Sequence, residues 1–375
     1  MRGFPRTDTS VLGRWWWTVD RWMLATIIGL MGLGAVLIMS AAPAAAKRIG
    51  GLGTFQLAER QALFLFLALT IMICASLLEP RALRRLALVG LAISLGLLTL
   101  TLLIGPEIKG ATRWLSVAGA SFQASELAKP CFAVVAAWML AAEKDARGLP
   151  GTCIALGLWG VLVALLLLQP DVGQSFVVSV ILGVEMFVAG LPLLWVGLMA
   201  AAGAAGLAGA YLALPYVAAR IDGFLDPAAG DRYQIERSIE AFANGGLFGR
   251  GPGEGTVKTL LPDAHSDFIF AVAGEELGLI ACLVIVALFA FVVLRGFSRL
   301  LQEPSLFVLL ACAGLLAQFG VQALINMASA LHLMPTKGMT LPFISYGGSS
   351  LIGLALAMGM VLALTRRRVG AGAVS

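Results

Sequence analysis

An all-α, polytopic membrane protein of about ten spanning helices, with one large polar loop between the seventh and eighth, is the fold class that this sequence predicts. Two observations carry the prediction. Hydrophobic residues make up 59% of the 375-residue chain and charged residues 13%, against about 25% charged in a soluble domain. The apolar residues also gather into runs at 22–42, 61–78, 86–104, 122–142, 152–169, 172–190, 191–215, 267–294, 305–332 and 343–365. Most of these runs are close to the roughly 20 residues that cross a bilayer.

Residues 1–20 read as a polar tail closing on Trp15-Trp16-Trp17, which suits an interfacial anchor. Ala44-Ala45-Ala46 has the look of a signal-peptidase site behind a basic start. The run before it is span-length and many more spans follow, so a retained first helix is expected. The domain reading is a cytoplasmic tail (1–20), one transmembrane domain (21–366) whose large loop covers 217–266, and a short cytoplasmic tail (367–375). Lys and Arg cluster at the ends of apolar runs, as at Arg81, Arg84, Arg85, Lys144, Arg295 and Arg299. This places both termini inside. It also explains the formal charge of +5 by membrane anchoring, with no nucleic-acid surface implied. The five cysteines lie singly within apolar runs and read as buried thiols, and two histidines are too few for a histidine-rich metal site. Glycines at 29, 32 and 34 and at 203, 206 and 209 read as close helix contacts.

With this orientation the unusual polar residues crowd the outer edge of the spans, where ionisable groups are costly and commonly functional. Glu126 and Lys129 stand three apart on one helical face and can pair. Pro130 beside them is expected to bend or unwind that helix. Asp171, in Gln169-Pro170-Asp171-Val172-Gly173, suits a helix cap. Arg113-Trp114 offers a guanidinium beside an indole, fitting a phosphate and a sugar ring or an interfacial anchor. Asn244 to Gly253 is glycine-rich but lacks the lysine-serine ending of a P-loop. Asp267, just after His265, sits at the mouth of the eighth apolar run, where capping and catalysis are both open readings. Glu275 and Glu276 lie deep enough in that run to need partners. The segment Met334 to Ser350, with two prolines and several glycines around Lys337, reads as irregular backbone lining a cavity.

HSDFIFAVAGEELG at 265–278 and PTKGMTLPFISYGGSS at 335–350 resemble the signatures of the SEDS proteins, the shape, elongation, division and sporulation polymerases of the bacterial cell wall. SELAK at 125–129, QPDVG at 169–173 and GDRYQIERSIEAFANGGLFGRG at 230–251 strengthen the match. Lys337 resembles the division branch more than the elongation branch. Arg237 departs from the pattern, since glutamine often precedes the serine at 238. The resemblance implies a glycosyltransferase polymerising lipid II into septal peptidoglycan strands, with inversion and undecaprenyl pyrophosphate as leaving group. It places Asp267 on the essential acid, the general base. Lys129, Arg113, Lys337 and Arg232 become candidate cations for the pyrophosphate, with a divalent cation such as Mg2+ as a further candidate. Glu126, Asp171, His265 and Ser345 complete the implied substrate site. The implied partners are a class B penicillin-binding protein, other divisome membrane proteins and membrane lipid, in the bacterial inner membrane at the septum. A lipid II flippase, an elongation-type polymerase and a non-catalytic division scaffold are the alternative readings.

Overall fold

The computed structural model describes residues 10–49, 53–107, 111–117, 120–145, 148–190, 193–213, 215–225, 233–335 and 338–366. Its helices are α1 (Val11–Thr18), α2 (Arg21–Ile49), α3 (Gln56–Leu77), α4 (Pro80–Ile104), α5 (Ala124–Lys144), α6 (Gly151–Leu168), α7 (Val172–Val188), α8 (Leu193–Ala213), α9 (Pro215–Leu225), α10 (Tyr233–Gly245), α11 (Ile269–Leu300), α12 (Leu306–Ala330) and α13 (Gly348–Leu364). All ten apolar runs of the sequence form helices. Among the described residues seven helices, α2 to α6 with α11 and α12, are long and apolar enough to cross a membrane. α7 and α13 are shorter at 17 residues each, and Ala201–Leu212 and Val217–Phe224 form a pair bent by 100°.

The centre of the bundle is made by α5, α12 and α13, whose residues are mostly buried, while α3, α4, α6 and α8 keep large exposed apolar faces. Lipid is the natural cover for those faces, since a membrane does not favour hiding apolar side chains in the interior. Alanines dominate the buried face of α5, and small side chains let neighbouring backbones approach closely.

Several features depart from the sequence reading. The N-terminal tail contains α1, capped by Ser10, whose side chain accepts from Gly13 N at 3.0 Å. Trp15 docks on α3, donating to Ser76 Oγ at 2.8 Å. α11 continues past 294 to Leu300, and Arg295 and Arg299, expected as a terminal basic cluster, turn back onto buried Asp20 at 2.9 and 3.0 Å. α5 passes unbroken through Pro130. The loop before it holds a two-stranded antiparallel hairpin, β1 (Leu115–Val117) with β2 (Ala120–Phe122). Gly34 does pack tightly, against the Phe343 and Ile344 backbone, but a Cβ added at Gly29, Gly32, Gly203, Gly206 or Gly209 would meet no neighbouring element within 4 Å. Cys131, Cys282 and Cys312 are buried, whereas Cys74 and Cys153 lie on exposed faces.

The large loop is itself folded. α9 and α10 occupy it, with Ser238 Oγ donating to the Ala330 carbonyl at 2.6 Å and so tying α10 to the end of α12. α11 is broken at Gly278, whose φ of 81° and ψ of 177° belong to a region almost confined to glycine. The break frees backbone groups, and the glycine-rich loop takes them up. Arg250 N donates to Glu275 O at 3.0 Å, Gly251 N to Glu276 O at 2.9 Å and Leu279 N to Gly246 O at 2.9 Å. The carboxylate of Glu275 accepts from the amides of Thr256, Val257 and Lys258 at 2.8, 2.8 and 3.0 Å. Glu276 is ion-paired with Lys258. Both glutamates therefore have the partners their depth requires, and the glycines serve a wedge between helix segments.

Candidate active site

One end of the bundle gathers the polar residues. Glu126 stands in the first turn of α5, Asp171 caps α7, Asp267 precedes α11 and Ser345 precedes α13, while α12 arrives at the same level with its last turns. Four helix N-termini and one C-terminus thus converge, the arrangement that the spacing of motifs between apolar runs requires if they are to meet.

The buried heart of the cluster is the pair Glu126 and Lys129, 3% and 0% exposed, with Lys129 Nζ 2.9 Å from Glu126 Oε2. Their spacing of three puts both on one face of α5. Each has one further partner. Gln174 Nε2 on α7 donates to Glu126 Oε1 at 2.6 Å, and Lys129 Nζ donates to Gln322 Oε1 on α12 at 3.0 Å. The Gln322 amide nitrogen faces Thr340 Oγ1 at 3.3 Å and Ser350 Oγ at 3.2 Å.

One turn along α12, Asn326 Nδ2 donates to the Asp267 carbonyl at 2.9 Å and to the Met339 carbonyl at 2.6 Å. The face of α12 carrying Gln322 and Asn326 therefore fixes the buried ion pair, the backbone of Asp267 and the 339–340 segment together. The Asp267 carboxylate lies against that segment: a Cβ placed on Gly338 would stand 2.9 Å from Asp267 Oδ2. Asp267 itself is half-buried. The cap position of α11 is Phe268, with no side-chain cap hydrogen bond, so the capping reading of Asp267 does not hold.

Ser345 closes the same corner, donating to the Ser266 carbonyl at 2.6 Å and accepting from Leu341 N at 2.7 Å. Tyr346 N donates to the His265 carbonyl at 2.9 Å, and the two rings lie 5.5 Å apart. Burial pushes the His265 imidazole below its ordinary range, against the opposing pull of Asp263.

Asp171 does cap α7, accepting from Gln174 N at 3.3 Å. It also accepts from Gln123 Nε2 at 3.3 Å and lies 3.9 Å from Arg113 Nε. Arg113 is further aimed by the Gln169 carbonyl at 3.3 Å and by the Pro170 carbonyl. Its side chain keeps 23% exposure, whereas Lys129 is fully enclosed. Of the two described cations, Arg113 is the one open to a ligand. Arg232 and Lys337 lie outside the described residues.

The sequence reading missed Gln123, Gln174, Gln322 and Asn326, none of which is charged. A signal was present: amides at 318, 322 and 326 recur at a spacing of four on an otherwise apolar helix, which marks one polar stripe facing protein. Among the described residues no three His, Cys, Asp or Glu side chains converge as a metal-holding group. A magnesium ion held by one or two carboxylates and by a substrate pyrophosphate needs no such group, and no step of the reaction is assigned to a metal.

Comparison with known proteins adds an independent line. The profile of the cell cycle protein family FtsW/RodA/SpoVE matches residues 21–369. A probable peptidoglycan glycosyltransferase FtsW of Caulobacter vibrioides (strain NA1000 / CB15N) is 45% identical over 98% of this chain and 94% of its own. Its counterpart in Tolumonas auensis is 35% identical over 93% and 92%. Among solved structures, a chain of a peptidoglycan synthase complex, described as coordinating polymerization and crosslinking, superposes with a TM-score of 0.75 at 32% identity, covering 92% of this chain and 97% of that one. The rod shape determining protein RodA of Thermus thermophilus gives 0.68 at 30% identity, with 93% and 97% covered.

Proposed function

The chain belongs to the FtsW/RodA/SpoVE family, and from that premise we propose a lipid II polymerase of the division type in which Asp267 is the general base. It is a multi-pass membrane protein and a peptidoglycan glycosyltransferase. Identity is higher to the FtsW relatives than to RodA, which disfavours the elongation reading. The observation that carries the assignment of Asp267 is its setting. It caps no helix, its backbone is clamped by Asn326, and its carboxylate is held at the rim of the 338–346 segment.

The acceptor sugar hydroxyl must lose its proton as its oxygen attacks the anomeric carbon of the donor. An ionised Asp267 within hydrogen-bond reach takes that proton. The bond from the anomeric carbon to the pyrophosphate oxygen breaks on the opposite face, which inverts the centre, and the leaving group departs as an anion needing positive charge more than a proton. Arg113, fixed at three points and still partly open, meets that anion. Lys129 contributes from behind, its charge balanced by Glu126 and its position set by Gln322. Gln123 and Asp171 hold the Arg113 corner. The site opens outward and both termini are cytoplasmic, supported by the basic side chains at the opposite end of the bundle, Arg295 and Arg299 on Asp20 among them. A class B penicillin-binding protein is the partner that would crosslink the strands, and the solved synthase complex supports this reading.

Purified protein supplied with labelled lipid II, alone and with such a partner, tests the proposal. Glycan strands are expected. Translocation without strands would favour the flippase, and neither would favour a scaffold.

A further inference from the structure

A cleft of about 810 Å3 lies at the loop end of α2, between that helix and the glycine-rich loop, and shares no lining residue with the Asp267 cluster. Its inner wall is a neutral knot. Lys258, 6% exposed, gives its ammonium to Ser40 Oγ at 2.9 Å, the Gly253 carbonyl at 3.0 Å and the Glu276 carboxylate. Three donors and three acceptors are thereby matched, so this lysine builds the wall and has none left for a ligand.

The rim differs. Lys47 and Arg48 occupy the last turn of α2, both exposed, and neither forms an ion pair among the described residues. Arg48 Nη2 donates to the Leu260 carbonyl at 2.9 Å, which turns the guanidinium across the cleft and leaves its other N–H groups available. Two adjacent cations are thus uncompensated beside a wall whose own charge is cancelled. Gly253 and Gly255 line the opposite side with backbone alone, beside Thr259.

Below the cations the lining turns apolar. Met39, 59% exposed, and Pro43 continue down α2, and Phe55, 52% exposed, also lines the cleft. Met39 precedes Lys47 by eight residues, which is about 12 Å along the helix. A cationic collar above an apolar strip of that length matches an anion carried on a hydrocarbon tail, and basic side chains near a membrane surface attract such anions.

We propose that this cleft binds a phosphorylated lipid, with the phosphate on Lys47 and Arg48 and the first part of the tail along Met39, Pro43 and Phe55. The site is separate from the glycosyl-transfer centre and does not rest on its assignment. A diacyl phospholipid and a polyprenyl pyrophosphate share the required chemistry.

The test uses the full chain in nanodiscs with photoactivatable forms of three probes: phosphatidylglycerol, undecaprenyl pyrophosphate and uncharged diacylglycerol. Cross-linked peptides within 39–55 are expected for at least one phosphorylated probe and not for diacylglycerol, and which one labels identifies the source. In the doubly substituted Lys47→Gln, Arg48→Gln protein that labelling falls about tenfold or more, while the thermal midpoint is unchanged because both side chains are exposed. Labelling of 39–55 by neither phosphorylated probe, labelling equal to that of diacylglycerol, or labelling unaffected by the double substitution would overturn the proposal.

Discussion

Lys129→Met removes a fully buried ammonium 2.9 Å from Glu126 Oε2 while preserving the volume of the side chain. Glu126 Oε1 keeps its bond from Gln174, but Oε2 has no hydrogen bond apart from the ion pair. A carboxylate 3% exposed is then left with half its surface unmatched. Breaking a buried pair from one side costs roughly 3–5 kcal/mol. Converting Glu126→Gln in the same chain removes the stranded charge and retains an amide able to accept from Gln174. The residual loss is the Gln322 oxygen that Lys129 had satisfied and the new amide NH2 in the place of Oε2, about 1 kcal/mol or more each. The double variant should therefore be more stable than the single one by about 2 kcal/mol. Equilibrium unfolding in mixed detergent micelles measures both. A double variant no more stable than Lys129→Met would refute the claim that the pair is held together by mutual charge compensation.

Gly278→Ala forces a side chain onto a backbone conformation that costs on the order of 1–3 kcal/mol, with its Cβ 2.5 Å from the Leu247 carbonyl oxygen; a lowered thermal midpoint is expected, and an unchanged one would show that the break in α11 relaxes freely. Glu275→Ala leaves three amides of the 256–258 turn without their acceptor, so limited proteolysis of the 250–259 loop should quicken by about tenfold, since one unmade buried hydrogen bond already costs about 1 kcal/mol or more. Burial depresses the His265 pKa, so the unfolded chain binds more protons than the folded one as the pH falls below about 6.5. Stability is fully present above that value and is lost as the pH descends toward the folded pKa. His265→Gln should flatten this dependence between pH 7.5 and 5.5, and an identical slope in the variant would remove His265 as its source.

The bundle was legible because each apolar run is long and bounded by charge or proline, and every run became a helix. The ion pair was legible from the spacing of Glu126 and Lys129, and the α7 cap from the position of Asp171 before Val172. What joins them was not. Gln174, Gln322 and Asn326 carry no charge and sit inside apolar runs, so a census of ionisable residues passes over them, although their amides make the cross-helix bonds. Asp267 as a cap was an open reading because side-chain chemistry alone does not separate a cap from its neighbour; backbone geometry places Phe268 there. The β1 and β2 hairpin escaped because three-residue strands leave too short an alternation to detect. Gly278 looked like an ordinary helix residue, since its role depends on a loop arriving from 246–251.

The most direct test is the rate of lipid II polymerisation by Asp267→Asn at equal amounts of folded protein, with its penicillin-binding partner present. Asparagine keeps the shape and the backbone bonds from Asn326 but accepts a proton poorly, so loss of a general base should slow strand synthesis by roughly a hundredfold or more. Folding and partner association should remain as in the unsubstituted chain. A variant that polymerises within a few-fold of the unsubstituted protein would contradict the assignment of Asp267 as the base.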